Sequence, residues 1–162
     1  MSSERVPSTP AVLALRAAKV EFTPHFYTYE EKGGTAVSAR ELGVEEHAVV
    51  KTLVMADDKA APLIVLMHGD RKVSTKALAR VIGVKSIESC APDVAQRHSG
   101  YRVGGTSPFG TRKPMPVYVE RSVLALPAIY INGGSRGFLV RVAPEVVVRL
   151  LAAQPVDVAI AL

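Results

Sequence analysis

The stretch "AVVKTLVMADDKAAPLIVLMH" (residues 48–68) decides the fold. Its halves, "AVVKTLVMA" (48–56) and "PLIVLMH" (62–68), are apolar, rich in β-branched residues and strand-length, and Asp57-Asp58 bounds the first. Two such runs joined by a short polar turn predict an antiparallel hairpin. Runs this apolar belong at the centre of a sheet. One residue breaks the pattern. A period of two puts Val49, Lys51, Leu53 and Met55 on one face, so Lys51 sits among core residues. A lysine there either snorkels its amine to solvent or is a positioned charge in a pocket. A buried amine has a lowered pKa and can serve as hydrogen-bond donor or base. Strand pattern alone leaves both open.

Outward from the hairpin, punctuation residues mark the other elements. Thr9-Pro10 reads as an N-cap followed by proline at the first helical position, predicting a helix over 10–19. "EFTPHFYTY" (21–29) predicts a strand at an edge, because Pro24 cannot donate to a ladder. Thr35 is expected to cap a helix ending at Leu42, with Gly43 beyond it. Ser74 caps a helix over 75–82 closed by Gly83, and "KSIES" is a brief strand. Pro92 opens "PDVAQRHS", closed by Gly100. Strands are expected over 116–120, 128–132 and 137–142, then a helix from Pro144 and a last strand "VDVAI". Hairpins mixed with helices, without strict alternation, give an α+β fold with a mixed sheet and flanking helices. Residues 1–8 read as a flexible tail and 9–162 as one domain.

Composition narrows the function. The 162 residues include one cysteine, so no internal disulfide forms and a reducing compartment is expected. The sequence has no membrane-length apolar run, and "MSSERVPSTP" lacks the apolar core of a secretory signal; the expected location is cytoplasmic, with no membrane partner. Twenty Lys and Arg against 15 Asp and Glu give a net charge of +5, compatible with a polyanionic partner such as RNA. Five Tyr, four Phe and no Trp argue against broad base-stacking platforms.

Two glycine-rich loops carry the chemistry. "YRVGGTSPFG" (101–110) nearly matches a phosphate-binding loop, but Thr111 stands where the lysine belongs. It nearly matches a nucleophile elbow, but Phe109 stands where the second glycine belongs. What remains is backbone chemistry: paired glycines let N–H groups approach an anion or a developing oxyanion. An ordinary turn is the competing reading. "NGGSRG" (132–137) has the same ambiguity, and Asn132-Gly133 is itself a hairpin-turn signal. Cys90 precedes a helix start, but nothing around it resembles a nucleophile signature. His25, His47, His68 and His98 have no ligand spacing, so no metal is expected. Lys72, Lys76 and Arg80 recur every four residues and form one basic stripe if helical. Arg97, Arg102, Arg112, Lys113 and Arg136 cluster in sequence near the glycine loops.

"TPAV" (9–12), "VKTL" (50–53), "AQRHSGYRVGGTSPFG" (95–110) and "IYINGGSRG" (129–137) together resemble the YbaK/EbsC family of trans-editing proteins, related to the editing domain of bacterial prolyl-tRNA synthetase. The resemblance implies a mixed, partly barrel-like sheet flanked by helices. It implies a trans-editing aminoacyl-tRNA deacylase with no cofactor, most similar to the branch acting on Cys-tRNA(Pro) and Cys-tRNA(Cys), with prolyl-tRNA synthetase as partner. The family's central lysine falls on Lys51 and the threonine after it on Thr52. Substrate-binding positions fall on Gly104, Gly105, Thr106, Ser107 and Pro108, on Gly133, Gly134 and Arg136, and on Tyr29, with Tyr27 as the alternative tyrosine. Lys72, Lys76, Arg80, Arg97, Arg102, Arg112 and Lys113 are the expected tRNA contacts. Leu139 stands where the cysteine branch carries an aspartate. The implied chemistry is electrostatic activation of the ester with thiol-assisted, lyase-type cleavage. An Ala- or Ser-specific hydrolase of the same fold, and a non-catalytic tRNA- or nucleotide-binding module, are the alternatives.

Overall fold

A computed structural model describes residues 5–162; the first four residues of the expected tail lie outside them. The hairpin forms as expected. Strand β2 (Val49–Asp57) pairs antiparallel with β3 (Pro62–His68), Val50 opposite His68 and Ala56 opposite Pro62. Leu63 to Met67 of β3 are all buried. Burying each large apolar side chain stabilises the fold by about 1.5–3 kcal/mol.

The remaining strands build outward on both sides. On one side, β3 pairs parallel with β6 (Val117–Glu120), which pairs parallel with β9 (Gln154–Val156). On the other, β2 pairs parallel with β7 (Ile129–Ser135), then β8 (Phe138–Val142) and finally β1 (Thr23–Phe26). β1 is an edge strand, as Pro24 requires. A two-stranded sheet joins β4 (Arg71–Val73) to β10 (Ala159–Ala161). The result is the expected mixed sheet with flanking helices.

One detail of the sheet positions the site. β7 pairs with β2 only at Val49 and Val50, while β5 (Ile87–Ser89) pairs with β2 at Met55 to Asp57. Between these two partners the ladder is interrupted beside Lys51, Thr52 and Leu53. Val49 O accepts from Gly69 on the β3 side and Val54 O accepts from Cys90 on the other. Main-chain groups alternate along a strand, so the N–H and C=O of Thr52 point into the gap.

Helix ends follow local signals. Thr9 caps α1 (Pro10–Ala17), accepting from Val12 N–H. Ser74 caps α3 (Thr75–Ile82), and Gly83 closes it in the left-handed region. α4 (Pro92–Ser99) runs from its proline to left-handed Gly100, and α5 spans Glu145–Leu151.

Four expectations need correction. Thr35 is not a cap: α2 (Gly34–Leu42) is preceded by Gly33, and the Thr35 hydroxyl is drawn to Glu46. Lys72 is not on a helix with Lys76 and Arg80, because it lies in β4 opposite Ile160. The turn between β7 and β8 is not Asn132-Gly133. It is Arg136-Gly137, since Ser135 pairs with Phe138, and Asn132 to Ser135 form an irregularity in β7. "VDVAI" divides between β9 and β10, which pair with different strands.

Candidate active site

Lys51 is half-buried on the predicted face of β2. Val49 packs there in a small cluster with Ala39 and Leu139, while Met55 belongs to a second cluster with Leu63 and Val65. Lys51 therefore separates two apolar clusters on one face. Among the described residues none lies within ion-pair or hydrogen-bond distance of its amine. Burial pulls its pKa below the ordinary lysine value, and the carboxylates of Glu46 and Asp70 oppose that fall.

The amine's surroundings form a cleft of about 660 Å³. Lys51 and Thr52 line it from the gap in the sheet, and Gly104 and Thr106 from the first glycine loop. Asn132 and Arg136 line it from the second loop, with Tyr29 beside them. The lysine and the two glycine loops, far apart in sequence, thus share one cavity. A second hollow of about 650 Å³, between Glu21 and Ala143, holds none of the predicted residues.

The two loops are fastened together. Asn132 Nδ2 donates to the Gly104 carbonyl at 3.1 Å, and Arg136 Nε donates to the Val103 carbonyl at 2.8 Å. The Arg136 guanidinium lies 4.9 Å from the centre of the Tyr29 ring. At Gly105 an added Cβ would stand 3.0 Å from the main chain of Ser135 and Arg136, so a side chain there would push the two loops apart by a few tenths of an ångström. Gly134 N–H is turned onto Asn132 Oδ1, and the Thr9 hydroxyl donates to the Gly133 carbonyl.

The predicted residues therefore divide. Tyr29, Lys51, Thr52, Gly104, Thr106 and Arg136 line the cleft. Gly105, Ser107, Pro108, Gly133 and Gly134 do not. Ser107 is fully buried and its Oγ accepts from Phe109 N–H. Gly133 lies against the Phe138 ring. The Thr52 hydroxyl is buried without a partner among the described residues, beside its gap-facing main chain.

Of the basic residues, Arg97, Arg102, Arg112 and Lys113 are exposed and have no acidic partner among the described residues. Arg112 N–H and Lys113 N–H bond to the carbonyls of Ser99 and His98, which fixes these cations beside the end of α4. Pro92 and Ala95 of α4, and Val103 next to Arg102, line the cleft, so this basic patch adjoins its rim. Lys72, Lys76 and Arg80 are exposed and none of them lines the cleft.

Sequence reasoning passed over three cleft residues. Asn132 read as a turn, Thr35 as a cap and Cys90 as a residue without a nucleophile signature, yet all three line the cavity. Burial raises the Cys90 thiol's pKa, which disfavours the thiolate. The fold also gathers His47, His68 and Asp70, with ligand-type atoms within 4.8 Å of one another. Their polar atoms are largely engaged: His68 Nδ1 donates to the His47 carbonyl, His68 Nε2 accepts from Ser122, and His47 Nδ1 bonds Asp70. The two rings stack 3.7 Å apart, forming a hydrogen-bonded prop under the β2–β3 end.

The profile of the aminoacyl-tRNA editing domain matches residues 30–150. The chain belongs to the aminoacyl-tRNA editing domain family. A protein of Enterococcus faecalis assigned as a Cys-tRNA(Pro)/Cys-tRNA(Cys) deacylase, EbsC, is 30% identical over 147 residues, covering 90% of each chain. A proline–tRNA ligase of Nitratidesulfovibrio vulgaris is 33% identical over 116 residues, 71% of this chain and 19% of that longer protein. A crystal structure described as a trans-editing enzyme for prolyl-tRNA synthetase superposes with a TM-score of 0.82 at 23% identity, covering 98% and 100% of the two chains. The YbaK/EbsC resemblance is borne out by these relatives of the editing domain. Among the described residues no helix is long and apolar enough to cross a membrane.

Proposed function

We propose that the cleft deacylates mischarged aminoacyl-tRNA, with Cys-tRNA(Pro) as substrate and Cys-tRNA(Cys) as a second one. One observation carries the reading: a partly desolvated lysine with no partner among the described residues shares a cavity with two glycine loops that are bonded to each other. An aminoacyl ester is already reactive. The protein needs to hold the terminal adenosine and stabilise the charge that develops on the carbonyl oxygen. The Lys51 ammonium supplies that stabilisation. Gly104, Thr106, Thr52, Tyr29 and Arg136 hold the substrate, and Gly105, Ser107, Pro108, Gly133 and Gly134 keep the loops in shape. The aminoacyl wall is apolar, with Val37, Leu53 and Leu139 at the cleft, which suits a small uncharged side chain.

In the thiol-assisted route the substrate's own sulfur attacks its carbonyl carbon. The C–S bond forms, the ester C–O bond breaks, and the thiol proton leaves on the ribose oxygen. The amino acid departs as a cyclic thioester, which makes the step lyase-like. Water in place of the thiol gives ordinary hydrolysis. The surface cations Arg97, Arg102, Arg112 and Lys113, with Lys72, Lys76 and Arg80, meet the tRNA backbone. Prolyl-tRNA synthetase is the proposed partner, because backbone contacts carry no sequence information.

The test is a deacylation panel of Cys-, Ala- and Ser-charged tRNA(Pro). Thiol assistance predicts loss of the cysteinyl ester alone. Cleavage of all three shows water as nucleophile. No cleavage of any, with tRNA still bound, overturns the enzymatic reading.

A further inference from the structure

Lys51 has no ion-pair partner among the described residues, yet its charge is not unsupported. Thr35 of α2 lines the cleft with Lys51, and its hydroxyl is 2.8 Å from the Glu46 carboxylate, with the Gly69 carbonyl at 3.2 Å. Glu46 sits in the 3-10 turn that runs directly into β2, five residues before Lys51. The packing here is close to its limit. An added Cβ at Gly69 would stand 2.7 Å from both the Glu46 carbonyl and Thr35 Oγ1. Helix, turn and strand end are locked around one carboxylate.

That carboxylate is bonded to Thr35 beside the cleft and makes no ion pair with Lys51. Glu46 and Asp70 both favour the charged amine, with Glu46 the larger effect, but neither comes within ion-pair distance. Asp70 is committed elsewhere, to His47 at 2.8 Å and Arg71 at 3.3 Å. Other charged groups line the cleft on loops: Glu30, Glu31 and Lys32 before α2, and Arg136 on its hairpin turn. From β3, His68 has both ring nitrogens engaged and burial lowers its pKa, so it adds no charge near neutrality. Cys90 faces the cleft from the β5 side as a thiol with a raised pKa.

We infer that Glu46, oriented by Thr35, is a positioning residue for Lys51. It is a fixed carboxylate set back from the cleft, which favours the charged ammonium and leaves its N–H groups for the substrate. A direct ion pair would occupy those donors; with no nearby carboxylate, burial would pull the amine's pKa down further. The inference rests on the reading of Lys51 as the cation of the reaction.

The experiment is a titration of Lys51 by NMR of ¹³Cε-labelled lysine, in the native chain and in Glu46→Gln, Glu46→Asp and Thr35→Val, assigned with Lys51→Met. Glu46→Gln is expected to move the Lys51 midpoint to lower pH. The alkaline limb of the kcat/KM profile moves with it, since a midpoint lower by about one pH unit leaves up to about tenfold less charged amine on that limb. Glu46→Asp recovers part of the change, and Thr35→Val moves the midpoint less, in the same direction. An unmoved Lys51 midpoint in a folded Glu46→Gln or Thr35→Val chain overturns the inference, whatever happens to the rate. The titration needs no turnover, so it stays readable if the tRNA panel fails.

Discussion

Gly104 shows how much a single position carries. Its φ is +87°, and an added Cβ would stand 2.5 Å from the Tyr29 hydroxyl. Gly104→Ala must enter a left-handed conformation and also displace a ring that Arg136 covers. A destabilisation of about 1–3 kcal/mol is expected from the backbone alone, read as a lower urea midpoint. Adding Tyr29→Ala removes the collision but not the backbone strain, so a double-mutant cycle should show coupling with partial recovery. Lys51→Ala is expected to lower deacylation about 100- to 1,000-fold, the loss typical of one oxyanion-stabilising group, with tRNA binding retained in a filter assay. Equal loss of binding and turnover would instead make Lys51 a binding residue. Tyr101 illustrates a structural residue inside a functional loop. It is buried, its hydroxyl donates to the Phe109 carbonyl, and burial pushes its pKa up to about 12. Tyr101→Phe leaves that carbonyl unsatisfied, and a loss of about 1–3 kcal/mol in chemical denaturation is expected.

At the scale of elements, the helix caps separate stability from function. Thr9 and Ser74 both accept from a first-turn N–H, and losing either cap costs about 0.5–2 kcal/mol. Only Thr9 also holds Gly133, in the second glycine loop. Thr9→Ala and Ser74→Ala should therefore lose similar stability, while Thr9→Ala alone should lose activity below the unfolding transition; equal activities would detach α1 from the site. The same elements show what could be read in advance. Helix termini at Pro10, Thr75 and Pro92 were legible because capping is settled within four residues. The central hairpin was legible because its apolar runs have no other place to go. The β7–β8 turn was not. Asn132-Gly133 has turn chemistry, but Gly133 must press on Phe138, and Asn132 must reach across to Gly104. Those contacts come from 5 and 28 residues away, and they move the turn to Arg136-Gly137. Thr35 misled for a similar reason, since its partners Glu46 and Gly69 arrive only with the tertiary fold.

At the scale of the whole molecule, the cleft's members were nameable from motifs, but their convergence depends on the interrupted ladder beside β2, which no local pattern encodes. Buried titratable groups are a second property of the assembled chain. His68 and His98 are both buried, at 1% and 8% exposure, and both have pKa values lowered from 6.5, chiefly by burial. Lys113 and Arg97 lower His98 further. Lowered folded values mean that the unfolded chain binds more protons between 6.5 and each folded pKa. The stability these neutral rings provide is therefore complete above pH 6.5 and is lost as pH falls toward the folded values. Urea midpoints should be level from pH 8 to 7 and then decline into the acid range. His98→Gln should flatten part of that decline, because it removes one ring that must stay neutral to remain buried. High salt should also soften it, since the Arg97 and Lys113 contribution at His98 is screened while desolvation is not. If the acid loss persists undiminished in His98→Gln at every salt concentration, the sensitivity belongs to His68 or to His25, whose pKa values burial also lowers, and His68→Gln and His25→Gln would then separate the two.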